Sequence, residues 1–192
     1  MRIICVILFM FVNSSLLLGD GLDDRTPSAL IRAASQGNAE EAKWLKEGGE
    51  DIHELDEHGK TLLHYAARHG HLPLVNFFIG CGLNFRQADF FGRTPLHDAA
   101  MSGSYEVVEC LLQKAVDHAL SPEVYINKED MQKKTPLSLA KEEFSSAEES
   151  LARQDLSVAG ATLSRRIRAA KTVRLIERYL RADKQDDCCL VQ

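Results

Sequence analysis

The chain has 192 residues, 45% of them apolar and 27% charged, and a formal net charge of −5. That length and apolar content suit one globular or solenoid domain and argue against a second, independently folded one. At the N-terminus, Arg2 is followed by residues 3–12 without a charged side chain, then Asn13-Ser14-Ser15, Leu16-Leu17-Leu18-Gly19 and Asp20. A short positive end, an apolar run and a small residue ahead of the next charge predict a secretory signal peptide over residues 1–19. The expected location is therefore secreted or periplasmic. The competing reading, an uncleaved anchor, has only the 16 residues 3–18 to work with, against the ~20 that span a hydrocarbon core. No A-x-A cleavage site is present, and nothing polar breaks the run into the stripe of an amphipathic first helix.

The same eight-residue frame then occurs three times at an unchanging spacing of 33 residues, over 30–37, 63–70 and 96–103. Each copy carries an alanine pair at the same offset: Ala33-Ala34, Ala66-Ala67 and Ala99-Ala100. An outer apolar set follows, such as Leu74, Val75, Phe77 and Phe78. Gly37, Gly70 and Gly103 fall between the two runs, where a residue able to take positive φ ends one helix and lets the chain reverse. The predicted unit is a helical hairpin. Small alanines let neighbouring hairpins approach, and the larger residues fill the space between layers.

The third copy reads Gly92-Arg93-Thr94-Pro95-Leu96-His97-Asp98-Ala99-Ala100, then Gly103 and Val107-Val108-Glu109-Cys110-Leu111-Leu112, and closely resembles the ankyrin repeat. The second copy, Gly59-Lys60-Thr61-Leu62-Leu63-His64-Tyr65-Ala66-Ala67-Arg68-His69-Gly70-His71, departs from it by Leu62 in the proline slot. In the first, Ser28-Ala29-Leu30-Ile31 replaces the Thr-Pro-Leu-His opening, as suits a capping repeat whose outer face meets solvent. A fourth opening, Lys134-Thr135-Pro136-Leu137-Ser138-Leu139-Ala140, comes 41 residues after the third, so eight residues are inserted within 116–130. The resemblance implies an all-α solenoid of about four helix-turn-helix repeats joined by finger loops, over residues 24–184. The repeats fall near 24–55, 56–88 and 89–118, with an interrupted fourth over 130–182 and a tail over 185–192.

Residues 141–162 turn to Ser, Ala, Glu and Gln with no steady apolar period, which predicts a flexible insert or loose helix. Order returns at Leu163, because Leu163, Ile167, Ala170, Val173, Ile176 and Leu180 recur every three or four residues and define one helical face. This is the displaced last helix, expected to cap the stack. It carries Arg165, Arg166, Arg168, Lys171, Arg174, Arg178, Arg181 and Lys184 against Glu177 and Asp183, a local charge of +6 that leaves −11 elsewhere. A solvated capping face is the plain reading, and attraction to anionic lipid the functional one. Nucleic acid is not an expected partner, since aromatics are not interleaved with the basic residues. The chain ends Cys188-Cys189-Leu190-Val191-Gln192, in which Cys189 begins a C-a-a-X prenylation pattern and Cys188 offers a second acylation site. Prenylation occurs in eukaryotic cytosol, so a second reading stands beside export: a cytosolic lipid-anchored adaptor, or a bacterial effector modified by a host.

No acid, base and nucleophile stand at a usable spacing among the seven histidines. The resemblance assigns His64 and His97 to hydrogen bonds between neighbouring loops, so they are structural. No enzyme, cofactor or metal is expected, and Cys81 and Cys110 are expected as free thiols, with a disulfide as the alternative. Recognition of a protein partner by a monomeric array is the expected function, on a concave surface of finger loops and first helices. Asp89-Phe90-Phe91-Gly92 puts two phenylalanines at a finger tip, and exposed aromatics are candidate hot spots. Tyr65, Arg68, His69, Asp98 and Met101 would add polar selectivity around Phe90 and Phe91. The alternative folds that pair back against the insertion after Val116.

Overall fold

The computed structural model describes residues 28–118, 121–153 and 159–186. The predicted signal peptide and the Cys188-Cys189 tail lie outside the described residues, as do 154–158 within the expected insert. Nine helices and no strands occur among the described residues: α1 (Ala29–Gln36), α2 (Ala39–Glu47), α3 (Leu62–Arg68), α4 (Leu72–Gly80), α5 (Pro95–Ser102), α6 (Tyr105–Asp117), α7 (Pro122–Ile126), α8 (Pro136–Arg153) and α9 (Ala159–Asp186). The chain belongs to the all-α class as expected. Helices α1, α3, α5 and α8 stack in chain order as an inner layer. Each is paired with an outer helix, and α6 packs between α4 and α9.

The alanine pairs of all three frames, together with Ala140 of α8, are fully buried, which is what permits the inner helices to lie against one another. The outer layer fills the remaining space with Leu74, Val75 and Phe78 in α4 and with Val107, Val108, Leu111 and Leu112 in α6, all without exposure. Full burial of each such side chain contributes about 1.5–3 kcal/mol. Gly37 ends α1 at φ 80° and Gly103 ends α5 at φ 69°, so the reversals fall where the sequence placed them.

The eight extra residues lengthen α6 to 13 residues, against nine in α4, and add the short α7. Tyr125 and Ile126 of α7 are buried. The Tyr125 hydroxyl donates to the Phe85 carbonyl at 2.6 Å, and its ring meets that of Phe85 edge-on at 5.8 Å.

The last hairpin departs in part from expectation. Of the two readings of 141–162, flexible insert or loose helix, the helical one holds as far as Arg153, because α8 continues unbroken from the fourth opening. Over residues 141–149 it buries little apart from Ala147, which explains the missing period, and ionic contacts replace the apolar ones. Arg165 of α9 makes a two-pronged ion pair with Glu143, and Arg166 meets Glu148 at 2.7 Å while lying over the Phe144 ring. The inward face of α9 differs in its first turns only, since Ile176 is buried and Val173 and Leu180 pack on the core as expected. Thr162, Ala169, Thr172 and Ile176 are buried, whereas Leu163 and Ile167 are 46% and 47% exposed. The turn at Gly103 sets this phase: a Cβ there would come within 3.3 Å of the Ala169 backbone, an approach only small side chains allow. Thr172 can enter the interface because its hydroxyl donates to the Arg168 carbonyl at 3.0 Å.

The tips of the successive finger loops repeat one turn. Asp56, Asp89 and Asp130 each accept two backbone N–H bonds on Oδ1, from residues two and four positions on. The fourth position of the turn takes positive φ: 74° at Gly59, 77° at Gly92 and 59° at Lys133. Left-handed backbone costs a side-chain-bearing residue about 1–2 kcal/mol, partly offset by the greater unfolded-state freedom of glycine. Lys133→Gly is therefore expected to raise stability by about 0.5–1 kcal/mol, read as a higher urea midpoint at unchanged slope. Gly59→Ala should lower the midpoint, since its Cβ would meet the Phe90 ring at 2.6 Å.

Candidate partner-binding surface

The fingers are joined to one another as well as to the helices. Phe90 N–H donates to the His58 carbonyl and Met131 N–H to the Phe91 carbonyl, both at 2.9 Å. Arg93 adds a side-chain contact from its Nε to Asp130 at 3.4 Å. Across this ladder Phe90 is 61% exposed, Phe91 48% and Met131 75%. Phe90 lies over Gly59 of the preceding finger, and the Phe91 ring stands 5.9 Å from that of His58. The aromatic pair thus sits at the finger tips and is not folded back on the insertion, whose Tyr125 is bound to Phe85 instead.

The inner-helix residues expected around this pair are placed unequally. Tyr65 is half-buried, and its hydroxyl donates to Asp56 Oδ2 at 2.6 Å, so it braces its own finger. Burial pushes the Asp56 carboxyl up, but the Tyr65 hydroxyl and the backbone N–H groups of Lys60 and His58 outweigh this and hold it below the ordinary carboxylate value. Burial and the same Asp56 partner push the Tyr65 phenol up. Arg68 and His69 are exposed and Met101 half-buried, on the surface as expected. Asp98 is corrected: it is fully buried, paired with Lys60 at 3.3 Å and with Arg68 at 3.9 Å. Its Oδ1 accepts no hydrogen bond among the described residues, and its role is to fix those two cations from behind.

Met131 and His58 were not singled out in the sequence. The signal was present, since Asp130-Met131-Gln132-Lys133-Lys134 occupies the same turn as Asp89-Phe90-Phe91-Gly92-Arg93.

His64 and His97 take the inter-loop role. Thr61 N–H donates to His64 Nδ1 at 3.1 Å, which leaves the proton on Nε2, and Nε2 donates to the Arg93 carbonyl at 3.0 Å. His97 repeats this with Thr94 at 3.1 Å and the Lys128 carbonyl at 3.1 Å. His71 reaches back to the Ser35 carbonyl at 3.0 Å. With both ring nitrogens of His64 and His97 engaged, neither is available for proton transfer. Cys81 and Cys110 are free and half-buried.

Helical hairpins stacked through alanine pairs, with hydrogen-bonded fingers along one edge, define a solenoid binding scaffold. A family model for ankyrin repeats matches in three copies, over residues 11–87, 30–122 and 63–151, and the chain belongs to the ankyrin-repeat family. Domains of this kind are typically noncatalytic and mediate protein–protein interaction. The chain is also similar to an L-asparaginase of Dirofilaria immitis, with 39% identity over 59 residues that make up 31% of this chain and 10% of that protein. The match therefore spans about a tenth of that relative's length.

Burial pushes the imidazoles of His64 and His97 below their ordinary value, against the opposing pull of their carbonyl partners and nearby carboxylates. As pH falls below about 6.5 the unfolded chain takes up protons that the folded chain refuses. The stability these two neutral rings contribute is thus full above that pH and is lost as pH drops through the folded values. The urea midpoint should fall as the pH is lowered through the ordinary histidine range, with both rings titrating by NMR at lower pH than a free imidazole. A midpoint flat over that range would count against this assignment.

Proposed function

We propose that the array is a noncatalytic module that binds a protein partner through its finger tips and inner-helix surface. The observation that carries this reading is the exposure of Phe90 and Phe91 on a finger hydrogen-bonded to both neighbours. Aromatic side chains held in place before binding lose little entropy on contact, which is the usual condition of an interface hot spot. Met131 extends the apolar patch. Arg68, His69 and Met101 border it, with Asp98 acting only through Lys60 and Arg68. Asparagine hydrolysis is not carried over, because the resemblance covers 59 residues, a tenth of the enzyme that bears the name.

Export through residues 1–19 belongs to this reading, supported by the uncharged run 3–12. A cytosolic adaptor anchored at Cys189 is a second reading, supported by the C-terminal motif and by the end of α9 at Asp186, two residues before Cys188. Intact mass from native cells separates them: a chain starting near Asp20 supports export, and one keeping Met1 with an isoprenyl group on Cys189 supports the anchor.

Phe90→Ser/Phe91→Ser should abolish stoichiometric capture of a partner from the native source while moving the melting temperature little. A large fall in melting temperature would instead make the pair part of the fold.

A further inference from the structure

The outward face of α9 carries side chains that capping a stack does not require. Leu163 and Ile167, one turn apart, are 46% and 47% exposed, on the side of the helix away from buried Ala169 and Ile176. At about 100° per residue, Leu163, Ile167, Arg174, Arg178 and Arg181 share a sector roughly 60° wide and about 27 Å long. Lys171 flanks it, its ammonium 4.8 Å from the centre of the Tyr105 ring.

The cations of this helix divide into two sets. Arg165 and Arg166 bind Glu143 and Glu148 and hold α9 to α8. Arg178 and Arg181 are 69% and 82% exposed, and their pairs with Glu109 at 3.7 Å and Glu177 at 4.0 Å are long and solvated, so they bind the cations weakly. Glu177 is shared further with Lys141 at 3.1 Å. Arg174 is exposed and has no ion pair among the described residues.

We propose that this stripe docks on an anionic membrane surface, with Leu163 and Ile167 entering the headgroup boundary and Arg174, Arg178 and Arg181 meeting the lipid charges. An acidic protein segment would be served by the cations alone. Two apolar side chains in line with them fit a surface where charge and hydrocarbon lie a few ångströms apart. No helix among the described residues is long and apolar enough to cross a membrane, so the contact is a helix lying along the interface. The stripe is cationic in a chain whose net charge is −5.

The test uses the full chain with Cys188→Ser/Cys189→Ser, so that no tail lipid contributes, and phosphatidylcholine vesicles with and without phosphatidylserine. Co-sedimentation should require phosphatidylserine and be lost at high salt. Leu163→Ser/Ile167→Ser and Arg174→Glu/Arg178→Glu should each lower the bound fraction at least about tenfold at unchanged melting temperature, while Arg174→Lys/Arg178→Lys retains it. Three results would overturn the proposal: no preference for phosphatidylserine, binding that neither double variant weakens, or salt-sensitive binding to soluble polyglutamate that Leu163→Ser/Ile167→Ser leaves unchanged.

Discussion

In each central repeat a rigid five-membered ring joins the start of a helix to the base of the next finger. His64 and His97 accept a backbone N–H at the start of their own helix, and that bond decides which ring nitrogen carries the proton. The same proton then reaches a carbonyl 29 residues on for His64 and 31 for His97, at the base of the next finger. One side chain therefore sets both the cap of a helix and the position of the following loop, and a stack follows from repeating it. Buried and neutral, the ring satisfies a donor and an acceptor that would each cost about 1–3 kcal/mol if left unpaired. The end repeats solve the problem differently. Ser28 caps α1 and meets Glu54, and Ser138 exchanges bonds with Thr135 without reaching a further finger.

Fixing the fingers has consequences at their tips. Each turn is closed by an aspartate that accepts two N–H groups, and each is hydrogen-bonded to the next through Phe90 and Met131. Backbone satisfied in this way has few alternatives, so the exposed rings of Phe90 and Phe91 are presented in a defined arrangement. Their exposure is not a leftover of poor packing, since Leu96, Ala99 and Ala100 of the helix that follows are fully buried. The structure keeps apolar surface at the tips while having buried apolar side chains available nearby, which is what separates a recognition surface from an incomplete core.

The inner layer was legible in the sequence because its burial repeats at a fixed spacing: the alanine pairs, the glycine turns and the two histidines all fall where the 33-residue period puts them. What was not legible depends on contacts between distant segments. Residues 141–153 lack an apolar period because Glu143 and Glu148 bind arginines some 20 residues further on, a partnership no local pattern announces. The first turns of α9 depart from the apolar pattern for a related reason, while Ile176, Val173 and Leu180 follow it. Leucine and isoleucine outrank alanine on any apolar scale, yet the close approach of Gly103 to the backbone of α9 favours a small residue at Ala169. At the site, Phe90 and Phe91 were visible as residues out of character for a finger. Asp98 was placed on the surface because its helical position faces the groove, and only the structure shows Lys60 and Arg68 covering it.

The interrupted fourth repeat shows what actually sets the spacing of the array. Forty-one residues separate the third and fourth openings where 33 separate the others, yet Asp130 closes the same turn as Asp89, and Met131 joins Phe91 as Phe90 joins His58. Distance along the chain is therefore not the constraint; the bonds from imidazole to finger and from finger to finger are. Closing a longer connection costs little, about 0.6 kcal/mol for each doubling of loop length. Tyr125 recovers more than that by burying its ring on Phe85 and donating to its carbonyl. The extra chain is absorbed as a longer α6 and the short α7, while the bonds joining Phe90 to His58 and Met131 to Phe91 are kept across the insertion.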